Sequence, residues 1–439
     1  MSCATNLPKF RTAPEVAEQL LDTLGVSAEV QGTADHPALA WRRSGLLPLC
    51  GEPNGEPLMP PLPLAASVDG ALLALKALVD NPTKLPANGS LLLGERSRLM
   101  GLRRAGKSST GGHCRLLETL DGRIAINLAR DEDWDLIEPW LGRAATSWES
   151  LADIVAGNPV DALLQQGIEL GLPVAQDALG ANEPWIDEHL IGTSAHNHDK
   201  PLVVDLSGLW AGPLAGSLLQ FAGAEVIKVE SINRPDGARR GDIGFFNLLN
   251  AGKKSVMLDF ATRQGRADLK KLVSVADIVI EASRPRALRQ LGIIAEQLVS
   301  EMPGKIWVRL MAYGGDENRI GFGDDIGVSA GLCTVMDQAW GEPCFVGDAI
   351  ADPIAGIYGA LTAWAKWKQG GGSLINLSMV DIVRQAARIG DASTDYIGRA
   401  EKWLGLAVAD TADLYQMRTS SGEAEPSGAS TASVMEAIC

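Results

Sequence analysis

The sequence predicts an α/β protein: a doubly wound, mostly parallel sheet with a second, smaller α/β domain. Between residues 202 and 379, short apolar runs alternate with helix-patterned stretches at intervals of roughly 25–30 residues. A separate block at 113–176 combines a hairpin signal with two acid-led helical patterns. The chain is 439 residues long, room for two or three domains with real cores.

The elements follow in order. Residues 1–95 read as mostly helical. Residues 96–176 form the smaller domain: "CRLLETLDGRIAINLA" is two strands about Asp121-Gly122, and "RDEDWDLIEPWLG" and "SWESLADIVAG" are helices. Residues 177–200 are polar and weakly patterned, so they serve as a connector. The larger domain spans 201–395. Its strands are "LVVDL", "EVIKVE", "SVMLDF", "DIVIEA", "KIWVRLMAY" and "SLINLSM", with a turn and helix opening at "AGP", Ala211-Gly212-Pro213. Residues 396–439 form a C-terminal segment whose Ser/Ala/Gly/Glu-rich end predicts disorder from about 418.

Composition narrows the functional classes. The net charge is −15, and no basic stripe opposes that field, which argues against a nucleic-acid partner. No apolar run approaches the ~20 residues of a membrane span, and the N-terminus does not read as a secretory signal. The six cysteines include no CxxC pair, which disfavours a zinc site and fits a reducing, cytoplasmic setting. His196-Asn197-His198 lies in the connector with no third ligand in view, so no metal is expected. Trp364 and Trp367, three apart after Asp352, read as core.

"FVGDAIADPIAG" (345–356) places Asp348 and Asp352 among small apolar residues. Residues 45–77 overlay 331–363 at a constant shift of 286, with 10 of 33 positions identical, including Gly55-Glu56-Pro57 and Gly70. In that overlay Ala66 lies under Asp352 and Leu62 under Asp348. The early copy keeps the Gly/Pro skeleton without the acids, as a retained scaffold without a site would. Pro353 suits a helix N1 position, which would make Asp352 the N-cap. A structural cap and a reactive carboxylate are both open on these residues alone.

Four blocks carry a resemblance: "VVDLSGLWAGPLAGSLLQFAGAEVIKVE" (203–230), "FFNLLNAGKKSVMLDF" (245–260), "ADIVIEASRPRALRQLG" (276–292) and "GDAIADPIAG" (347–356). Together they resemble the class III CoA-transferases, the group of formyl-CoA transferase, carnitine CoA-transferases and α-methylacyl-CoA racemase. The resemblance implies a Rossmann-like large domain, an interlocked homodimer, and CoA transfer between an acyl-CoA thioester and a carboxylic acid. Family members place their small domain after these blocks, whereas 113–176 precedes them here. The order is that of a permuted unit carrying a degenerate repeat.

By resemblance Asp352 is the nucleophile, forming an aspartyl mixed anhydride, and Asp348 is a supporting or solvated acid. CoA contacts are expected at Ala211, Gly212 and Pro213, at Arg234, Arg239 and Arg240, at Asn250, Lys253 and Lys254, and at Arg284 and Arg289, with Arg286 in the same loop. Phosphates call for cations and free backbone amides at strand ends, although any one such cation is more often simply solvated. The racemase branch carries a histidine where this chain has Asp324 and Asp325, and the glycine-run loop of formyl-CoA transferase is not found. Two alternatives stand beside transfer: a CoA-thioester isomerase or racemase, and a non-catalytic CoA-binding subunit.

Overall fold

A computed structural model of the chain describes residues 11–181, 183–195, 200–388 and 395–438. His196 and His198 lie outside the described residues.

The first unit is helical, with α1 (Ala13–Leu24), α2 (Pro37–Arg43), α3 (Leu64–Leu78) and α4 (Gly89–Met100). A three-stranded antiparallel sheet follows: β1 (Cys114–Glu118), β2 (Arg123–Asn127) and β3 (Val174–Gln176). The Asp121-Gly122 turn joins β1 to β2 as the pattern predicts. One face of this sheet buries Ile124, Ile126 and Val174 under Leu151, Val155 and Leu163. The other face, with Cys114, Leu116 and Ala125, meets Val328, Cys333 and Phe345 of the larger domain.

The large sheet has seven strands: β4 (Ile186–Leu190), β5 (Leu202–Asp205), β6 (Glu225–Ser231), β7 (Lys254–Leu258), β8 (Ile278–Glu281), β9 (Ile306–Met311) and β10 (Ser373–Ser378). Their order is β4-β10-β9-β8-β5-β6-β7, all parallel except β4, which pairs antiparallel with β10. The connector expected at 177–200 therefore supplies an edge strand. Its polarity hid it, because an edge strand with a solvated face needs no apolar run. The order reverses between β5 and β8, and ligands of open α/β sheets bind at such a switch point.

The overlaid segments form adjacent helices. The long helix Ala351–Lys368 packs on α3, with Ser67 Oγ 2.7 Å from Tyr358 Oη and Trp364 Nε1 donating to Leu78 O at 3.2 Å. Trp364 and Leu78 are counterparts at the shift of 286. The likeness extends further than that overlay. Helix Ala211–Ala222 ("AGPLAGSLLQFA") and α1 ("APEVAEQLLDTL") share Ala, Ala, Leu and Leu at equivalent places, and each ends on a left-handed glycine, Gly223 or Gly25. The paired glycines do the same work. A Cβ at Gly70 would stand 2.8 Å from Ala13 O, and one at Gly356 would stand 2.7 Å from Ala211 O. Each glycine thus lets its helix meet the first carbonyl of a partner helix, α1 for Gly70 and Ala211–Ala222 for Gly356. The N-terminal unit has its two helices, α1 and α3, with no strand between them among the described residues.

The C-terminal segment departs from the disorder expected from about 418. Arg418 forms a bidentate pair with buried Glu95 on α4, at 2.7 and 2.6 Å. Glu425 accepts from Ser255 N at 2.8 Å, Ser430 N donates to Ser255 O at 3.0 Å, and helix Thr431–Ala437 buries Val434. These contacts cover edge strand β7, so low apolar content misled: the segment is held by hydrogen bonds to an open edge, which composition does not report. Ending the chain after Met417 should expose that edge and leave Glu95 without Arg418. We expect a loss of about 3 kcal/mol or more, read as a lower Tm, with aggregation detected by light scattering.

Candidate active site

The helix Ala351–Lys368 starts two residues earlier than expected, with Ile350 as N-cap. Asp352 is therefore in the first turn and is not the N-cap. Its side chain turns to the neighbouring helix Gly323–Ser329, where Oδ2 lies against Gly323. A Cβ at Gly323 would stand 2.4 Å from Ala349 O and 2.5 Å from Asp352 Oδ2, so only glycine fits there.

The two acids of the opening motif separate cleanly. Asp348 is fully buried; it accepts from Arg96 Nε at 2.8 Å, from a second Arg96 nitrogen, and from Thr110 Oγ1 at 3.0 Å. The alternative of a solvated Asp348 is thereby corrected, since its lone pairs are committed to an internal ion pair. Asp352 remains in partial contact with solvent although protein crowds it. That crowding, with Asp324 and Asp348 nearby, pushes its carboxyl up to about 7 against the opposing field of Arg96. Asp324 accepts from Ala349 N at 3.0 Å, and burial and Asp348 raise its carboxyl to about 6. Asp325 is buried, accepts from Asn127 Nδ2 of β2 at 2.9 Å, and is pushed up to about 7 by burial.

The backbone at the site is strained. Ala349 has φ 40° and Leu209 has φ 65°, the two non-glycine residues with positive φ among those described. Such outliers concentrate at functional sites, where the surrounding structure over-determines them. Leu209 precedes Trp210, which opens the helix Ala211–Ala222 directly after β5 at the switch point. The close approach at Gly356 brings Asp352, one turn earlier, to that helix start.

The expected CoA residues divide. Ala211, Gly212 and Pro213 open the helix as predicted and are buried. Lys253 is not free for a phosphate: it is buried, 2.9 Å from Asp205 Oδ2, 2.8 Å from Pro213 O and 3.2 Å from Asn250 Oδ1. Asn250 is buried in the same network and donates to Phe246 O at 3.1 Å. Both support the helix start from below. Arg239 is held by Glu230 at 2.6 Å and lies over Phe246. Lys254 pairs with Glu225 on the surface at 2.5 Å, and Arg289 with Glu317 at 2.6 Å. Arg240 is exposed. Arg234 and Arg284 come together: burial, then the fields of Arg286, Arg130 and Arg234, hold the Arg284 guanidinium below its ordinary range. Arg284 and Arg286 follow β8, which borders the switch point, and Arg234 follows β6, one strand beyond β5, so these cations lie at the carboxyl ends of parallel strands.

Sequence reasoning missed Arg96 and Arg130. The only signal for Arg96 is "LLLGER", a charged pair in a helix otherwise rich in apolar residues. Such charges need partners, but the sequence does not name them. Among the described residues no group of three or more His, Cys, Asp or Glu is placed to hold a metal ion.

This geometry coincides with a family match. Residues 201–401 match CoA-transferase family III. The chain is 33% identical over 208 residues to the probable fatty acyl-CoA transferase Rv3272 of Mycobacterium tuberculosis, covering 42% of this chain and 52% of that protein. It is 28% identical over 256 residues to the succinate–glutarate CoA-transferase of Agrobacterium fabrum, covering 52% of this chain and 64% of the relative. A crystal structure of Rv3272 matches at 34% identity and a TM-score of 0.39, over 44% of this chain and 55% of that one. The chain spans about half the length of the first curated relatives it matches. The family III segment contains Asp352 and the switch point; Arg96 and Arg130 lie outside it.

Proposed function

We propose that this protein transfers CoA between an acyl-CoA thioester and a carboxylic acid through an acyl group carried on Asp352. The observation that carries this reading is the position of Asp352: a solvent-touched carboxylate beside the helix start at the switch point, within the family III segment. An Asp352 oxygen attacks the thioester carbonyl, the C–S bond breaks, and CoA leaves as thiolate while the anhydride forms. The thiolate then attacks the aspartyl carbonyl and releases the first acid. The acceptor carboxylate attacks this aspartyl thioester, giving a new anhydride and thiolate. Attack of that thiolate on the new acyl carbonyl yields the product thioester and regenerates Asp352.

Asp352 must be ionised to attack, so kcat/KM should fall as pH drops below about 7. Mass spectrometry of wild-type protein incubated with acyl-CoA should find the acyl group on the peptide containing Asp352, and hydroxylamine should trap it. Active protein without that adduct would overturn the proposal.

CoA presents a diphosphate and a 3′-phosphate, and the cluster of Arg130, Arg234, Arg284 and Arg286 supplies matching charge. Arg130 also pairs with Asp133. Arg284→Ala should raise KM for acyl-CoA about tenfold, with kcat little changed and with weakened salt dependence. Dephospho-CoA thioesters tell which phosphate the cluster meets.

Asp324 favours a second reading, α-proton exchange, because a carboxyl raised to about 6 suits a base. Deuterium uptake from heavy water without an acceptor acid would select it. The homodimer and the cytoplasmic location belong to the same proposal. The dimer is tested by light scattering of the full chain.

A further inference from the structure

Arg96 lies on α4, outside the family III segment, yet touches both turns that frame the site. Its guanidinium is 4.8 Å from the Trp210 ring centroid, next to strained Leu209. Its bidentate pair with Asp348 grips the turn ahead of strained Ala349. Ala349 in turn donates its amide to Asp324 and accepts from the Asp352 amide at 2.9 Å. One side chain thus connects the N-terminal copy, the helix start after β5 and the turn that carries the nucleophile.

We propose that Arg96 is a positioning residue for Asp352: it clamps the 347–350 turn through Asp348 and brings its positive charge to the acids of the site. It follows that the N-terminal copy, which has Ala66 and Leu62 in place of the two acids, lends its charge to the other copy's site. The proposal rests on the reading of Asp352 as nucleophile.

The charge balance supports it. The groups that bear on Asp352 are Asp324 and the Gly323 amide from helix Gly323–Ser329, Asp348 from its own turn, and Arg96 from α4. Asp325, further along the same short helix, is turned to Asn127. Three carboxylates therefore surround one guanidinium. A fully buried Asp348 without that partner would carry the desolvation cost of an unpaired charge and release the turn.

The test compares Arg96→Met, Arg96→Lys, Asp348→Asn and the Arg96→Met/Asp348→Asn double variant. A water-soluble carbodiimide with glycinamide modifies protonated carboxyls. The pH midpoint of its labelling at Asp352, read by peptide mass spectrometry, needs no turnover. Arg96→Met should raise that midpoint by about one unit, whereas Asp348→Asn should lower it. Arg96→Lys should lie between wild type and Arg96→Met, and the double variant should return toward wild type. In turnover, Arg96→Met should lose about tenfold in kcat below pH 7 at nearly constant KM for acyl-CoA.

A role in stability alone would lower Tm and leave the midpoints in place, and that result overturns the proposal. Asp348→Asn is nearly isosteric, so its unmoved midpoint would overturn it even where Arg96→Met fails to fold. If wild-type protein carries no acyl group on Asp352, the functional reading fails on that measurement, while the labelling midpoints still judge Arg96.

Discussion

Asp352→Asn should abolish CoA transfer and raise the stability of the protein at pH 8. The loss of activity should be at least about a thousandfold, the scale on which removal of a covalent nucleophile acts. The gain in stability follows from linkage. The Asp352 carboxyl titrates near 7 in the folded protein against 3.8 as its ordinary value. Ionising it in the fold therefore costs stability. At pH values below the ordinary value both states are protonated and the cost is absent. It grows as pH rises from about 4 to about 7, and is complete above that. The amide carries no charge, so the variant should be more stable by about 1–2 kcal/mol at pH 8, after discounting for solvent contact and relaxation. The advantage should shrink to nothing by about pH 4. Thermal melts at both pH values, alongside a transfer assay, measure both effects. A variant that loses activity and also melts lower at pH 8 would point to a structural role in the first turn of the helix instead.

Lys253→Ala should unfold the molecule more readily without acting through CoA. Asp205 is fully buried, and its partners are Lys253 at 2.9 Å and the Ser207 hydroxyl. Burial pushes its carboxyl up, but Lys253, Lys228 and Ser207 together hold it below the ordinary range. Removing Lys253 strands a buried carboxylate and leaves Pro213 O without its Nζ donor, an expected cost of about 3–5 kcal/mol. Replacing both partners with Lys253→Met and Asp205→Leu should recover most of it, because no charge then stays buried alone. Denaturant midpoints measure this. Unchanged stability with a raised KM for acyl-CoA would restore Lys253 as a phosphate contact.

Lys253 and Lys254 mark a limit of sequence reading. Adjacent, identical and both at a strand end, they look equally suited to a phosphate. The strand's alternation sends Lys253 under the helix Ala211–Ala222 and Lys254 to solvent, where it meets Glu225. Arg239 and Arg289 show the same limit: acids 9 and 28 positions away, Glu230 and Glu317, pair with them in the fold. By contrast, Arg234 and Arg284 fall after strand ends as the pattern expects, because the loops that follow parallel strands collect on one edge of the sheet.

The sequence by itself determined the parallel strands, the hairpin about Asp121-Gly122, the helix opening at Ala211 and the motif around Asp352. Each rests on local periodicity, turn chemistry or a short contiguous block, which neighbouring residues write directly. It also carries the gapless overlay of 45–77 on 331–363 at a shift of 286. Only the tertiary structure decided the rest: that α1 meets α3 as the helix at Ala211 meets Ala351–Lys368, that β4 completes the sheet, that the C-terminal segment covers β7, and that Arg96 reaches Asp348 across 252 positions. The physical reason is common to all four. A buried charge or an open strand edge demands a partner, and the chain fixes that the demand exists while leaving to the fold which residue answers it.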